Sequence, residues 1–171
     1  MPEMFVASFD HKILFRNLLA QSKINAESTL VSWGGGEPSL LNSFEDTVEF
    51  LRLAHIKQLI NTSGIKHSPS IEKALAERLA TVRISADSGT NETYALVKGN
   101  PHGELVWESI RRYASTGGDF VVKYIIFSLN SDVCEVERFV DRCWDAGVKK
   151  ICISVDARSV YEVLPKIRTR C

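Results

Sequence analysis

Cysteine is scarce in this 171-residue chain: four, at positions 134, 143, 152 and 171. They are few, late and unpatterned. That excludes a disulfide-built scaffold and suits a reducing cytoplasm, the expected location. Metal-ligand spacing is missing too. Cys134 and Cys143 are nine positions apart on one helical segment, and at ~100° per residue they fall on opposite faces. Cys152 falls in a strand. His11, His55, His67 and His102 are scattered and read as solvated groups. Charge of one sign is not in excess: 21 Lys and Arg face 21 Asp and Glu. No nucleic-acid or anionic-membrane footprint follows from that balance, and Arg111-Arg112 reads as a solvated helix face. No apolar run approaches the ~20 residues that span a bilayer. The first nine residues lack the basic region and apolar core of a secretion signal.

What is present is a core. Apolar residues make up 44% of the chain, enough for one domain over 1–171. Five short apolar runs stand out, at 30–33, 56–60, 82–85, 120–128 and 150–155. Most are near-continuous and rich in Val and Ile, the pattern of strands buried on both faces. Amphipathic segments separate them. Ile13, Leu14 and Leu18 mark one before the first run. Phe44, Val48 and Leu51 mark the next, opened by Ser43 with Asp46 three residues on. Ser68-Pro69 opens a third, and a fourth starts near Gly103. A fifth turns Val133, Val136, Val140 and Cys143 inward and closes at Ala146-Gly147. A sixth begins near Ser159. Strand starts are roughly 25–40 residues apart, which is βαβ spacing and predicts an α/β fold with a parallel sheet. The stretch 88–103 is expected to be irregular. Both chain ends are abrupt, and the sequence reads as a core incomplete at both ends.

In parallel α/β folds the ligand site lies at the carboxyl ends of the strands. The first run leads into Trp33-Gly34-Gly35-Gly36-Glu37-Pro38. Three glycines let a ligand approach the backbone, and Glu37 adds a fixed carboxylate. Such a loop suits an ammonium group. A phosphate cradle would need a Lys or Ser/Thr at its close and would be repelled by the carboxylate. The plainer reading is a strand-to-helix turn. Later ends carry Asn61-Thr62-Ser63-Gly64, then Ser85-Ala86-Asp87, then Lys123 and Asn130, then Asp156. Asp87 reads equally as a loop acceptor, and Asn130 as a helix cap. Lys123 stands amid Val121, Val122, Tyr124 and Ile125, where burial is costly unless the lysine is paired or snorkels out. Glu45 is expected on the exposed face of its helix.

This ordered set, with Arg83-Ile84 before Ser85 and Glu135 opening the helix after Asn130, resembles the radical S-adenosylmethionine (radical SAM) superfamily over roughly residues 8–157. The resemblance implies a partial (β/α)6 TIM-like barrel, of which the five runs are strands two to six. It implies cofactor binding by Gly35, Gly36, Glu37, Ser85 and Asp87, with the glycine–glutamate loop on the methionyl amine. It implies substrate contacts at Thr62, Lys123 and Asn130. The family's Cys-x-x-x-Cys-x-x-Cys motif, which holds a [4Fe–4S] cluster, does not occur in this sequence, and the expectation is a chain cut just after that loop. The implied activity is reductive cleavage of S-adenosylmethionine to a 5′-deoxyadenosyl radical that abstracts a substrate hydrogen. Its partners are a small-molecule or peptide substrate and a reductant such as flavodoxin or ferredoxin. Two rival readings stand beside it. One is a Schiff-base (β/α) lyase or aldolase using Lys123 as nucleophile. The other is a non-catalytic, degenerate barrel.

Overall fold

Each apolar run read from the sequence becomes a strand in the computed structural model, which describes residues 10–156. The strands are β1 (Leu30–Trp33), β2 (Lys57–Thr62), β3 (Ala80–Ser85), β4 (Asp119–Ile126) and β5 (Ile151–Val155). They form one sheet in chain order, every neighbouring pair parallel. Six helices connect or precede them: α1 (His11–Ala20), α2 (Phe44–Leu53), α3 (Pro69–Ala76), α4 (Asn91–Lys98), α5 (Gly103–Ser115) and α6 (Val133–Asp145). A 3-10 turn, Pro38–Leu40, follows β1. The sixth helical segment read near Ser159 lies outside the described residues.

Burial on both strand faces is not what forms. β2, β3 and β4 alternate strictly. Ile60, Val82, Ile84, Val122 and Tyr124 turn to the helix side and join Val48, Leu51, Ile71, Leu75, Ile110 and Phe139 in the core. Asn61, Arg83, Ser85 and Lys123 occupy the other face, which stays open because it walls a cavity. β5 is exposed along most of its length.

Four details depart from expectation. The stretch 88–103 holds α4. Thr90 caps its start by accepting from Thr93 N–H, and Gly99, at φ +71°, ends it. Ser43 does not cap α2 through its side chain; its hydroxyl meets His11 Nδ1 at 3.2 Å. On α6 the buried positions are Glu135, Phe139 and Cys143, while Val133 and Val140 are each 39% exposed. The helix is turned so that the Glu135 carboxylate reaches the loop before α4. Glu45 is not on a free face. It accepts from Ser68 Oγ at 2.6 Å and Ser70 N–H at 2.7 Å, tying α2 to the start of α3. Ser68 itself caps α3 as the sequence predicts.

Candidate functional site

The end of β1 is fixed before the glycine loop begins. Trp33 donates its indole N–H to Gln58 Oε1 at 3.0 Å and packs edge-on against Phe44. Its carbonyl accepts from Asn61 Nδ2 at 3.2 Å. Gly35 then turns at φ +84°, where a side chain would be strained. Gly36 has no such angle, yet a Cβ there, as at Gly35, would meet no heavy atom within 4 Å. The loop backbone therefore faces open space.

Glu37 closes the loop, and its carboxylate is held from its own 3-10 turn and from the end of β2. Oε1 accepts from Ser39 N–H at 3.1 Å, Ser39 Oγ at 2.7 Å and Thr62 Oγ1 at 2.7 Å. Oε2 accepts from Ser63 N–H. Burial pushes the carboxyl up, but hydrogen bonds from Ser63, Ser39 and Thr62 outweigh it and hold Glu37 below its ordinary value of 4.5. The group is an anion at neutral pH, and Oε2 retains accepting capacity. An anion fixed beside an unobstructed backbone can receive an ammonium group and would repel phosphate.

Gly35, Gly36, Glu37, Thr62, Ser85 and Lys123 line one cavity of about 520 Å³ at the carboxyl ends of the strands. Ser85 and Lys123 are cross-strand neighbours on its wall. Among the described residues the Lys123 ammonium has no hydrogen-bond or ion-pair partner, and the side chain is half-buried on the open face. The Thr62 hydroxyl is already committed, donating to Glu37 and accepting from Gly64 N–H at 3.2 Å. Asp156 follows β5 at the same end of the sheet.

Asp87 and Asn130 are not brought to the cavity wall. Asp87 adopts φ +54° and its side chain is 1% exposed. It accepts from Ile125 N–H at 2.6 Å and pairs with the Lys98 ammonium. Asn130 does not cap α6, a role Asp132 takes. It is wholly buried, donating to Asp87 O at 2.8 Å and Ile125 O at 2.9 Å and accepting from Phe127 N–H at 2.6 Å. Both residues brace the cavity from behind. Tyr94 and Lys98, which also line it, were not legible because α4 was read as irregular. Thr90 with Gly99 was the available signal. On the β1 side the same glycine loop and Glu37 border a second cavity of about 330 Å³, walled by His11, Phe15 and Trp33.

A family model described as the Radical SAM superfamily matches residues 14–143. Mycofactocin maturase MftC of Mycobacterium tuberculosis is 25% identical over 111 residues, which cover 64% of this chain and 28% of MftC. Streptococcus suis SuiB bound to S-adenosylmethionine matches with a TM-score of 0.64 at 14% identity, over 93% of this chain and 38% of that one. SuiB bound to its precursor peptide SuiA matches with a TM-score of 0.62 at 14% identity, over 87% of this chain and 33% of that one. The likeness to SuiB is one of fold. The chain spans between 28% and 38% of the length of these relatives.

Proposed function

The chain belongs to the radical SAM superfamily, and from that premise we propose that it forms the cofactor- and substrate-binding core of an enzyme that modifies a peptide. S-adenosylmethionine and a [4Fe–4S] cluster are the cofactors that membership carries. The observation behind the reading is Glu37: a carboxylate kept ionised by four hydrogen bonds, beside glycines with open space above them. The methionyl amine fits there. Gly35, Gly36 and Glu37 would hold it, and Ser85 is within the same cavity as a further cofactor contact. When bound, the cofactors supply one-electron cleavage of a carbon–sulfur bond and removal of a hydrogen atom from the substrate.

The chain's own residues supply position. Thr62, Ser39 and Ser63 orient Glu37, so Thr62 acts here as a positioning residue. Lys123 faces the space left for substrate. Asp87 and Asn130 hold the β3 and β4 ends that carry Ser85 and Lys123. The described residues do not fit the cluster: they contain no group of three or more side chains able to hold a metal ion, and none is assigned to it. MftC is a maturase and SuiB binds a precursor peptide; those two relatives support a peptide as substrate here. A one-electron donor of the flavodoxin or ferredoxin kind is the required partner. The Schiff-base lyase reading is not favoured, because it leaves the glycine loop and the tethered Glu37 without a role.

Anaerobic calorimetric titration of S-adenosylmethionine into the full chain tests this. Glu37→Gln keeps an acceptor oxygen but loses the charge and turns N–H groups toward a cation. The expected loss is about 1.5–3 kcal/mol, the usual worth of a hydrogen bond to a charged group. Glu108→Gln, on the exposed face of α5, is the control and leaves affinity unchanged. Equal affinity for wild type and Glu37→Gln would remove Gly35, Gly36 and Glu37 from the cofactor site.

A further inference from the structure

Tyr94 is 1% exposed and lines the large cavity. Buried tyrosine hydroxyls ordinarily find a partner. Tyr113 accepts from Ser68 N–H at 2.9 Å, and Tyr124 donates to the Asn130 carbonyl at 2.7 Å. The Tyr94 hydroxyl has none among the described residues. It is not sealed away either. The one side-chain polar atom both enclosed and unpartnered among the described residues is Trp107 Nε1. The residual exposure of Tyr94 is therefore at its hydroxyl, on the cavity side. Burial, then the carboxylates of Asp87 and Glu37, push its ionisation upward, so at neutral pH it is an O–H donor.

Three cations line the same cavity: Lys98, which is paired with Asp87, Arg83 on β3 and Lys123 on β4. Neither Arg83 nor Lys123 makes a hydrogen bond or ion pair among the described residues, although the Arg83 charge helps hold the more distant Asp119 carboxyl below its ordinary value. The carboxylates nearby are already committed: Asp87 to Lys98 and Ile125, Glu37 to Ser39, Thr62 and Ser63. The unspent charge of the cavity is thus two cations, Arg83 and Lys123, with the Tyr94 hydroxyl and the Ser85 hydroxyl as neutral groups beside them. That set matches one anionic acceptor.

We propose that Tyr94, Arg83 and Lys123 form a subsite for a carboxylate of the peptide substrate, an inference that rests on the function proposed above. The methionyl carboxylate of the cofactor is the other source of such a group. The amine and carboxylate of an amino acid share one carbon, so with the amine on Glu37 that carboxylate stays near the ends of β1 and β2. The Glu37 carboxylate itself rests on Thr62 and Ser63 at the end of β2, so Lys123 on β4 lies two strand steps away, roughly 10 Å along the sheet at ~4.8 Å per step. An anion held by Lys123 and Arg83 together belongs to a second molecule.

The test uses the full chain and two capped tripeptides, acetyl-Gly-Glu-Gly-amide and acetyl-Gly-Gln-Gly-amide, titrated calorimetrically with and without S-adenosylmethionine. The glutamate peptide binds on the order of tenfold more tightly than the glutamine peptide. Tyr94→Phe, which keeps the buried ring, and Arg83→Gln each erase most of that preference. Both leave S-adenosylmethionine affinity within about twofold and the melting temperature unchanged. No preference for glutamate in the wild type overturns the subsite. So does a Tyr94→Phe protein that loses cofactor affinity while keeping the peptide preference, since its hydroxyl then serves the cofactor. Failure of the function proposed above is read separately, as wild-type chain that does not bind S-adenosylmethionine at all.

Discussion

Glu135 is buried on α6 with its carboxylate turned toward the loop before α4. Its Oε1 accepts from Gly89 N–H at 2.6 Å and Thr90 N–H at 2.9 Å. The loop cannot move away, and Gly89 is packed so closely that a Cβ there would stand 2.5 Å from the Glu135 carbonyl oxygen. Glu135→Ala leaves two donors stranded at about 1–3 kcal/mol each. Thr90 Oγ1 keeps Thr93 as a partner and adds nothing; at about 1.5 kcal/mol for each of the two backbone donors the net loss is about 3 kcal/mol. At ~2–4 °C per kcal/mol for a chain of this size, the melting temperature falls by about 6–12 °C. Both backbone bonds fall on one oxygen, so Glu135→Gln retains them through its amide oxygen and loses about 1 kcal/mol, the charge-assisted part. Arg138→Ala removes only a 3.8 Å contact from a side chain 62% exposed and changes little. Scanning calorimetry on the three variants decides it. A drop below about 3 °C for Glu135→Ala, or equal drops for Ala and Gln, would show that the loop does not depend on this carboxylate.

The Glu37 carboxyl titrates below its ordinary value of 4.5, so its contribution to stability is fully present above that pH and lost as pH falls through the lower, folded-state value. Urea midpoints of wild type and Glu37→Gln should differ at pH 7 and converge as the pH falls through the folded-state value below 4.5; a gap that does not narrow on acidification contradicts the hydrogen-bond account. Asp87 cannot reach water but Lys98 partly can, so Lys98→Met, which strands the buried charge, should cost about 3 kcal/mol and Asp87→Asn, which keeps the Ile125 bond, about 1 kcal/mol. The reverse order in equilibrium denaturation would show that the pair is not what stabilises this corner. A Cβ at Gly118 would lie 2.3 Å from the Leu75 carbonyl oxygen, and one at Gly36 meets nothing. Gly118→Ala should therefore destabilise by about 1–3 kcal/mol, while Gly36→Ala should leave the melting temperature alone and weaken S-adenosylmethionine binding, and loss of stability at Gly36 would contradict the open cradle.

The strands were legible because the sheet is parallel and in chain order, so each one announces itself as a β-branched run after a helical period. The alternation within those runs was harder to read. Val121 and Ile125 occupy the open face beside Lys123, so a half-open strand looked closed on both sides. α4 was hidden because Tyr94 is its one buried side chain, which leaves no apolar stripe to give the 3.6-residue period. With it went Tyr94 and Lys98. Asp87 and Asn130 stand out in the sequence as polar residues near strand ends, but residue type alone does not say whether a side chain points into a cavity or back into the protein. Glu45 shows the same limit. A helix-face glutamate looks solvated until a neighbouring loop presents N–H groups to it.

The tethering of Glu37 has a consequence for how a ligand would be received. A free glutamate side chain loses about 1.5–2 kcal/mol of rotamer entropy when it is fixed. Here folding has already fixed it, from Ser39 on one side and Thr62 and Ser63 on the other. An arriving ammonium would meet a receptor in its final rotamer, and the affinity would carry no ordering cost on the protein side. Thr62→Val would therefore weaken binding by returning to Glu37 part of the freedom that its four hydrogen bonds remove, the Ser39 and Ser63 bonds remaining in place.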